Sequence, residues 1–247
     1  MFQKKGLKMA TSYSPNFSLP KRPKKRIKFL IIHYTGMKKE IDAIRRLQDP
    51  NFKVSSHYLV KRNGEILNLV PDQYEAWHAG ISSWKYFKLL NKNSIGIEIT
   101  NPGHEFKYKK FSKKQIRSIL KLSKFLIKKY KIKDKFILGH SDIAPFRKKD
   151  PGEKFPWRYL SKNRVGLWHG LNEKKLFKIR EIKVDKNDEN KFLKNLYKIG
   201  YFRLLPKDIH KNKKLLTKAF QRRFRQELIN GIIDKECLFI SKNLTKS

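Results

Sequence analysis

The chain has 247 residues, enough for one large domain or two small ones, and its 60 basic against 21 acidic residues give a formal net charge of +39. The single cysteine, Cys237, excludes an internal disulfide, and no apolar run approaches the roughly 20 residues that span a bilayer, which excludes a transmembrane helix. The charge favours polyanions, but it is carried mostly by Lys, which lacks the bidentate fork of Arg. Spread over nearly the whole chain beside many Ile, Asn and Phe, it reads as compositional bias of the source, so no specific nucleic-acid partner is expected.

In chain order, residues 1–25 are polar, Lys-rich and Pro-containing, and are expected to form a basic disordered tail. Met9 is an alternative start. No apolar stretch follows the first lysines, so no standard signal peptide is visible. That favours a cytoplasmic protein, with the periplasm or cell envelope as the alternative.

Ile27–Tyr34 reads as an apolar strand that ends on His33-Tyr34-Thr35-Gly36, and Ile41–Leu47 as a short helix before Asp49-Pro50. His57–Lys61 and Ile66–Val70 flank Asn63-Gly64, the pair favoured in a two-residue hairpin turn with positive φ. Ser94–Thr100 is a strand with Ile95, Ile97 and Ile99 on one face and Gly96 and Glu98 on the other. Phe111–Tyr130 is a helix opened by Ser112 and Gln115 at capping-box spacing. Lys135–Gly139 is a strand ending on His140. The alternation argues for an α/β sandwich on one sheet.

Residues 166–190 gain charge and lose periodicity, and read as a linker. In 191–247, Phe192–Ile199 and Leu215–Phe224 are amphipathic helices. Gly200 is placed to end the first, and Leu216, Phe220 and Phe224 form one apolar stripe along the second. This part is expected to be a small, separate helical domain.

Several residues can carry chemistry. His33 and His140 each end a strand, where side chains can meet at one sheet edge, and Asp150 follows in the loop after His140. Two imidazoles and a carboxylate make a catalytic zinc set with a fourth position for water. Each histidine also has an ordinary reading as a strand-end residue with a backbone partner, and the wide spacing does not decide between the two. Glu98 is costly in an apolar strand unless it is paired or lies in a cleft, where it would serve as acid/base; a solvated edge position is the other reading. Trp77-His78-Ala79-Gly80 suits contact with a sugar or peptide, or equally a buried Trp beside a bonded His. Lys148 could face a metal or simply be solvated.

Six segments in order decide among these readings. Ile31-Ile32-His33-Tyr34-Thr35, Ser55-Ser56-His57-Tyr58, Ala76-Trp77-His78-Ala79-Gly80, Ser94-Ile95-Gly96-Ile97-Glu98-Ile99, Gly139-His140-Ser141-Asp142-Ile143-Ala144-Pro145 and Arg147-Lys148-Lys149-Asp150-Pro151-Gly152, with Phe155-Pro156-Trp157 behind, resemble the amidase-2 family of N-acetylmuramoyl-L-alanine amidases, nearest its AmpD and AmiD groups. The resemblance implies an α/β fold with a mixed central sheet flanked by helices, and a zinc amidase domain over 26–165. It implies one zinc ion on His33, His140 and Asp150, with Glu98 as acid/base and Lys148 stabilising the oxyanion. Trp77, His78 and Arg147 would line the substrate groove, and His57 would have a structural role. Leu193–Ile240 resembles a three-helix peptidoglycan-binding domain. The implied activity is cleavage of the bond between the sugar and peptide of peptidoglycan or muropeptides by a monomer. The rival readings are a recognition protein that holds the wall without cutting it, and a basic nucleic-acid binder.

Overall fold

The computed structural model describes residues 2–4, 7–204 and 209–246. In chain order the strands are β1 (Phe2–Lys4), β2 (Leu7–Thr11), β3 (Phe17–Ser18), β4 (Phe29–Ile32), β5 (Tyr58–Val60), β6 (Ile66–Asn68), β7 (Glu75–Ala76), β8 (Ser83–Trp84), β9 (Phe87–Lys88), β10 (Ser94–Ile99) and β11 (Ile137–Gly139). The helices are α1 (Glu40–Gln48), α2 (Lys113–Tyr130), α3 (His140–Ile143), α4 (Trp157–Lys162), α5 (Glu173–Lys178), α6 (Lys186–Ile199), α7 (Ile209–Phe224) and α8 (Lys235–Leu244). Among the described residues, no helix is long and apolar enough to cross a membrane.

Seven strands form one sheet in the order β1-β2-β6-β5-β10-β4-β11. β10 runs parallel to β5 and β4, β11 runs parallel to β4, and β5 pairs antiparallel with β6. The sheet is therefore mixed and flanked by helices, as expected.

Strand β4, between β10 and β11, is apolar throughout because both faces are covered. Leu30 and Ile32 join Ile95, Ile97 and Ile99 of β10 against Ile119, Leu122 and Leu126 of α2. Phe29 and Ile31 point the other way, into a core shared with Phe192, Leu196, Phe220 and Ile240 of the C-terminal helices. On that same side, Leu59 of β5 packs with Leu47 and Ile44 of α1. β10 has no apolar side chain to offer on this second face: its residues there are Ser94, Gly96 and Glu98. A cleft opens over it.

Four expectations are corrected. The N-terminal segment from residue 7 onward is ordered rather than a disordered tail; Met1, Lys5 and Gly6 lie outside the described residues. β2 pairs with β6, and Asn16 and Arg22 are buried. Their side chains donate to backbone carbonyls of other segments, Asn16 to Asp49 and Val54, and Arg22 to Asp72, Asn91 and Ser94. Polar composition thus serves as glue, because each buried donor meets an acceptor.

The expected linker holds α5 and the start of α6, whose first turn is capped by the Asp185 carboxylate accepting from Asp188 N–H. The C-terminal helices are not a separate body. Buried Arg223 of α7 donates to the carbonyl of Ile137 at 3.0 Å and pairs with Asp142 of α3, which also accepts from Tyr201 Oη at 2.7 Å. Fourth, the hairpin loop is longer than two residues. Gly64 has φ of +87° while Asn63 keeps a negative φ, and Gly64 N–H donates to Lys61 O. Asn63 instead uses its side chain to accept from Glu65 N–H.

Candidate active site and metal centre

His33 follows β4 directly, His140 opens α3 after β11, and Asp150 lies in the loop beyond α3. β4 and β11 are parallel neighbours, so their C-terminal ends bring the two imidazoles to one edge. His33 Nδ1 lies 3.0 Å from His140 Nδ1 and 3.0 Å from Asp150 Oδ2, and His140 Nδ1 is 3.1 Å from the same oxygen. All three residues are buried. One proton can bridge only one pair of such acceptors, whereas a cation between them satisfies all three. Ligand atoms about 2.1 Å from a tetrahedral zinc stand about 3.4 Å apart, close to the spacing here, so the donor set fits a metal.

Burial, followed by the charge of His140, lowers the His33 pKa to about 4. Burial works against ionisation of Asp150, but His140 and His33 outweigh it and hold the carboxyl well below its ordinary range. A neutral His33 imidazole and an ionised Asp150 carboxylate are the protonation states that bind metal.

Glu98 stands on β10 facing the cleft, opposite the three isoleucines, and its Oε2 is buried with no hydrogen-bond partner. Burial and then the Asp150 charge raise its carboxyl to about 8, against an opposing pull from Lys148. The cleft encloses about 630 Å³, and Glu98, His140, Lys148 and Asp150 share it with Arg46 and Leu47 of α1. A carboxyl with an unpaired oxygen, a lysine and two members of the metal-compatible triad, His140 and Asp150, thus face one space.

The remaining candidates are placed differently. Arg147 reaches the cavity, but its guanidinium is tied to the carbonyls of Ala79 and Ile81. His78 is buried but reaches the cavity wall, and its ring is held on both sides, with His33 Nε2 3.0 Å from its Nδ1 and Ser94 Oγ 3.1 Å from its Nε2. Trp77 does not line the cavity; its Nε1–H donates to Ser18 Oγ at 2.8 Å. The cause is the N-terminal arm, where β3 pairs with β7 and turns the neighbouring Trp77 towards itself. His57 is deep in the frame, accepting from Gly96 N–H at Nδ1. Burial and then the Arg22 charge lower its pKa to about 3.

Sequence reasoning missed Ser94, Asn91 and Arg46. Ser94 could have been found, since it lies two and four residues before Gly96 and Glu98, on their side of the strand.

Residues 23–153 match the family profile described as N-acetylmuramoyl-L-alanine amidase. The chain is 36% identical over 255 residues to the N-acetylmuramoyl-L-alanine amidase AmiD of Escherichia coli, covering 98% of this chain and 89% of that one. It is 36% identical over 168 residues to the 1,6-anhydro-N-acetylmuramyl-L-alanine amidase AmpD of Haemophilus influenzae, covering 60% of this chain and 88% of that one. Its fold superposes with a TM-score of 0.79 on the E. coli AmiD complex with the substrate anhydro-N-acetylmuramic acid-L-Ala-D-γ-Glu-L-Lys, covering 91% of this chain and 90% of that chain at 36% identity.

Proposed function

This chain belongs to the N-acetylmuramoyl-L-alanine amidase family, and from that premise we propose how its residues work: His33, His140 and Asp150 hold one zinc ion, Glu98 is the acid/base, and Lys148 stabilises the oxyanion. The enzyme hydrolyses the amide between the lactyl group of N-acetylmuramic acid, or its 1,6-anhydro form, and L-alanine in peptidoglycan or muropeptides, in cell-wall turnover and recycling.

Zinc, when bound, supplies Lewis-acid polarisation of the carbonyl and acidification of water. Glu98 handles the protons. A carboxyl near 8 exists in both forms around neutral pH, so it can accept a proton from the attacking water and return it to the alanine nitrogen as the bond breaks. Lys148 opposes the negative charge that gathers on the carbonyl oxygen. Arg46, Arg147 and Lys149 add positive charge to the cavity wall, which suits a peptide stem whose γ-linked glutamate leaves a carboxylate free.

The observation that carries this reading is the shared cavity: His140 and Asp150 of the metal-compatible triad, and a carboxyl with one buried, unpaired oxygen, open onto the same space. A protein that only held the wall would have no use for that carboxyl. The test is to incubate the full chain with anhydro-N-acetylmuramoyl-L-Ala-D-γ-Glu-L-Lys and follow the products by mass spectrometry. Free tripeptide and the anhydro sugar are expected, with cleavage lost on chelation and restored by zinc. Scission within the peptide, or undiminished cleavage after chelation, contradicts the assignment.

A further inference from the structure

Both imidazoles of the triad turn Nδ1 towards Asp150, and both turn Nε2 towards a single loop. His33 Nε2 meets the side chain of His78, and His140 Nε2 meets the carbonyl of Ala79 at 3.1 Å. The direction of each bond follows from its far end. Leu90 O can only accept, so the Ser94 hydroxyl, 2.6 Å away, donates to it and spends its one proton there. Ser94 Oγ must then accept from His78 Nε2–H. Neutral His78 is left with a bare Nδ1, which accepts from His33 Nε2–H. The chain of donors thus runs outward from His33 through His78 and Ser94 to Leu90.

His140 is fixed in the same sense. Ala79 O only accepts, so His140 Nε2 carries the proton. The nearby Arg147 nitrogen does not compete for that position, because it donates to the carbonyls of Ala79 and Ile81. The loop itself is pinned by Asn91, whose Oδ1 accepts from the N–H groups of His78 at 3.2 Å and Ala79 at 2.7 Å. Space for the His78 ring comes from Gly96, where a Cβ would stand 2.5 Å from the ring's Cγ.

We propose that His78 is a positioning residue: with Ala79 O, and held by Ser94, Asn91 and the space over Gly96, it sets both ligating histidines as Nε2–H tautomers and so presents Nδ1 to the metal. One loop therefore orients two ligands that lie 107 residues apart in sequence. Groups that fix the tautomer of a ligating histidine contribute to metal affinity without touching the metal. The inference rests on the metal-centre reading above.

The experiment uses the zinc-loaded full chain labelled with ¹⁵N at histidine, together with zinc affinity by chelator competition. A nitrogen–nitrogen coupling across the hydrogen bond from His33 Nε2 to His78 Nδ1 is expected, with the proton on His33. His78→Phe is expected to bind zinc about 10–100-fold more weakly. His78→Gln, whose amide oxygen can accept from Nε2–H, recovers part of that loss. Ser94→Ala keeps the ring and removes only its outer acceptor, so a smaller loss is expected there even if His78→Phe does not fold. Thermal unfolding of the metal-free variants separates weak binding from instability. A proton on His78 Nδ1, or parent zinc affinity in both folded His78→Phe and Ser94→Ala, overturns the proposal. A parent chain that takes up no zinc removes the metal-centre reading and this inference with it.

Discussion

Two carboxylates in this protein, buried Asp72 and half-buried Glu98, are treated in opposite ways. Asp72 accepts from Tyr58 Oη at 2.5 Å, from Tyr130 Oη at 2.6 Å and from Lys129. Burial disfavours its charge, but these donors outweigh burial and lower its pKa. Glu98 has a buried oxygen with no donor and a carboxyl raised to about 8. The first ties β5 to α2, while the backbone carbonyl of the same residue accepts from Arg22 of the N-terminal arm. The second is held at a cost to the fold. A satisfied buried acid reads as structure, and an unsatisfied one in a cavity reads as chemistry.

That contrast can be broken by exchanging acid for amide at each position. Glu98→Gln is expected to lose about 10³-fold in muropeptide turnover, in the range of a missing general acid/base, while keeping its metal. Near-parental turnover would remove Glu98 from the mechanism. Next in size, Lys148→Met is expected to lower kcat by about 10²-fold, as for loss of one oxyanion partner, with KM little changed. A rise in KM at constant kcat would make Lys148 a substrate-binding group instead.

Asp72→Asn is expected to cost about 2 kcal/mol in denaturant unfolding, because donors to a buried carboxylate lose their charged partner. Turnover of the folded fraction stays near that of the parent. Loss of activity without loss of stability would erase the distinction between the two acids.

The last test sharpens the comparison through pH. In metal-free protein, the folded state keeps a proton on Glu98 that the unfolded chain releases between its ordinary 4.5 and about 8. Parent stability should therefore fall as pH rises through that window. Glu98→Gln lacks the term, so its stability relative to the parent is expected to grow as pH rises from 5 to 9. Asp72 has the opposite sign: its contribution is complete above 3.8 and is lost as pH falls below it. Equal pH slopes in the parent and Glu98→Gln would contradict the raised carboxyl.

Much of this could be read from sequence, for identifiable reasons. α2 begins at Lys113 behind the Ser112–Gln115 capping box, and β10 divides Ile95, Ile97 and Ile99 from Gly96 and Glu98 by simple alternation. Local periodicity carries such information. The ordered family segments carried the triad, which spacing alone left open.

What escaped depends on contacts between distant segments. Nothing within residues 7–25 reveals that Arg22 will meet the carbonyls of Asp72, Asn91 and Ser94. Nothing local to Trp77 reveals that Ser18 will draw it away from the groove. Arg223 and Asp142, 81 residues apart, join the C-terminal helices to the strand that delivers His140, so a composition break near 166–190 does not mark a break in packing.

The central claim is that the triangle of His33, His140 and Asp150 is a zinc centre. X-ray absorption at the zinc edge of the purified full chain, read beside its metal content, tests it most directly. One zinc per chain with scattering from two imidazoles is expected, and Asp150→Ala should lose the metal while remaining folded. Full activity in a chain that carries no metal, or unchanged zinc content and coordination in Asp150→Ala, would contradict it.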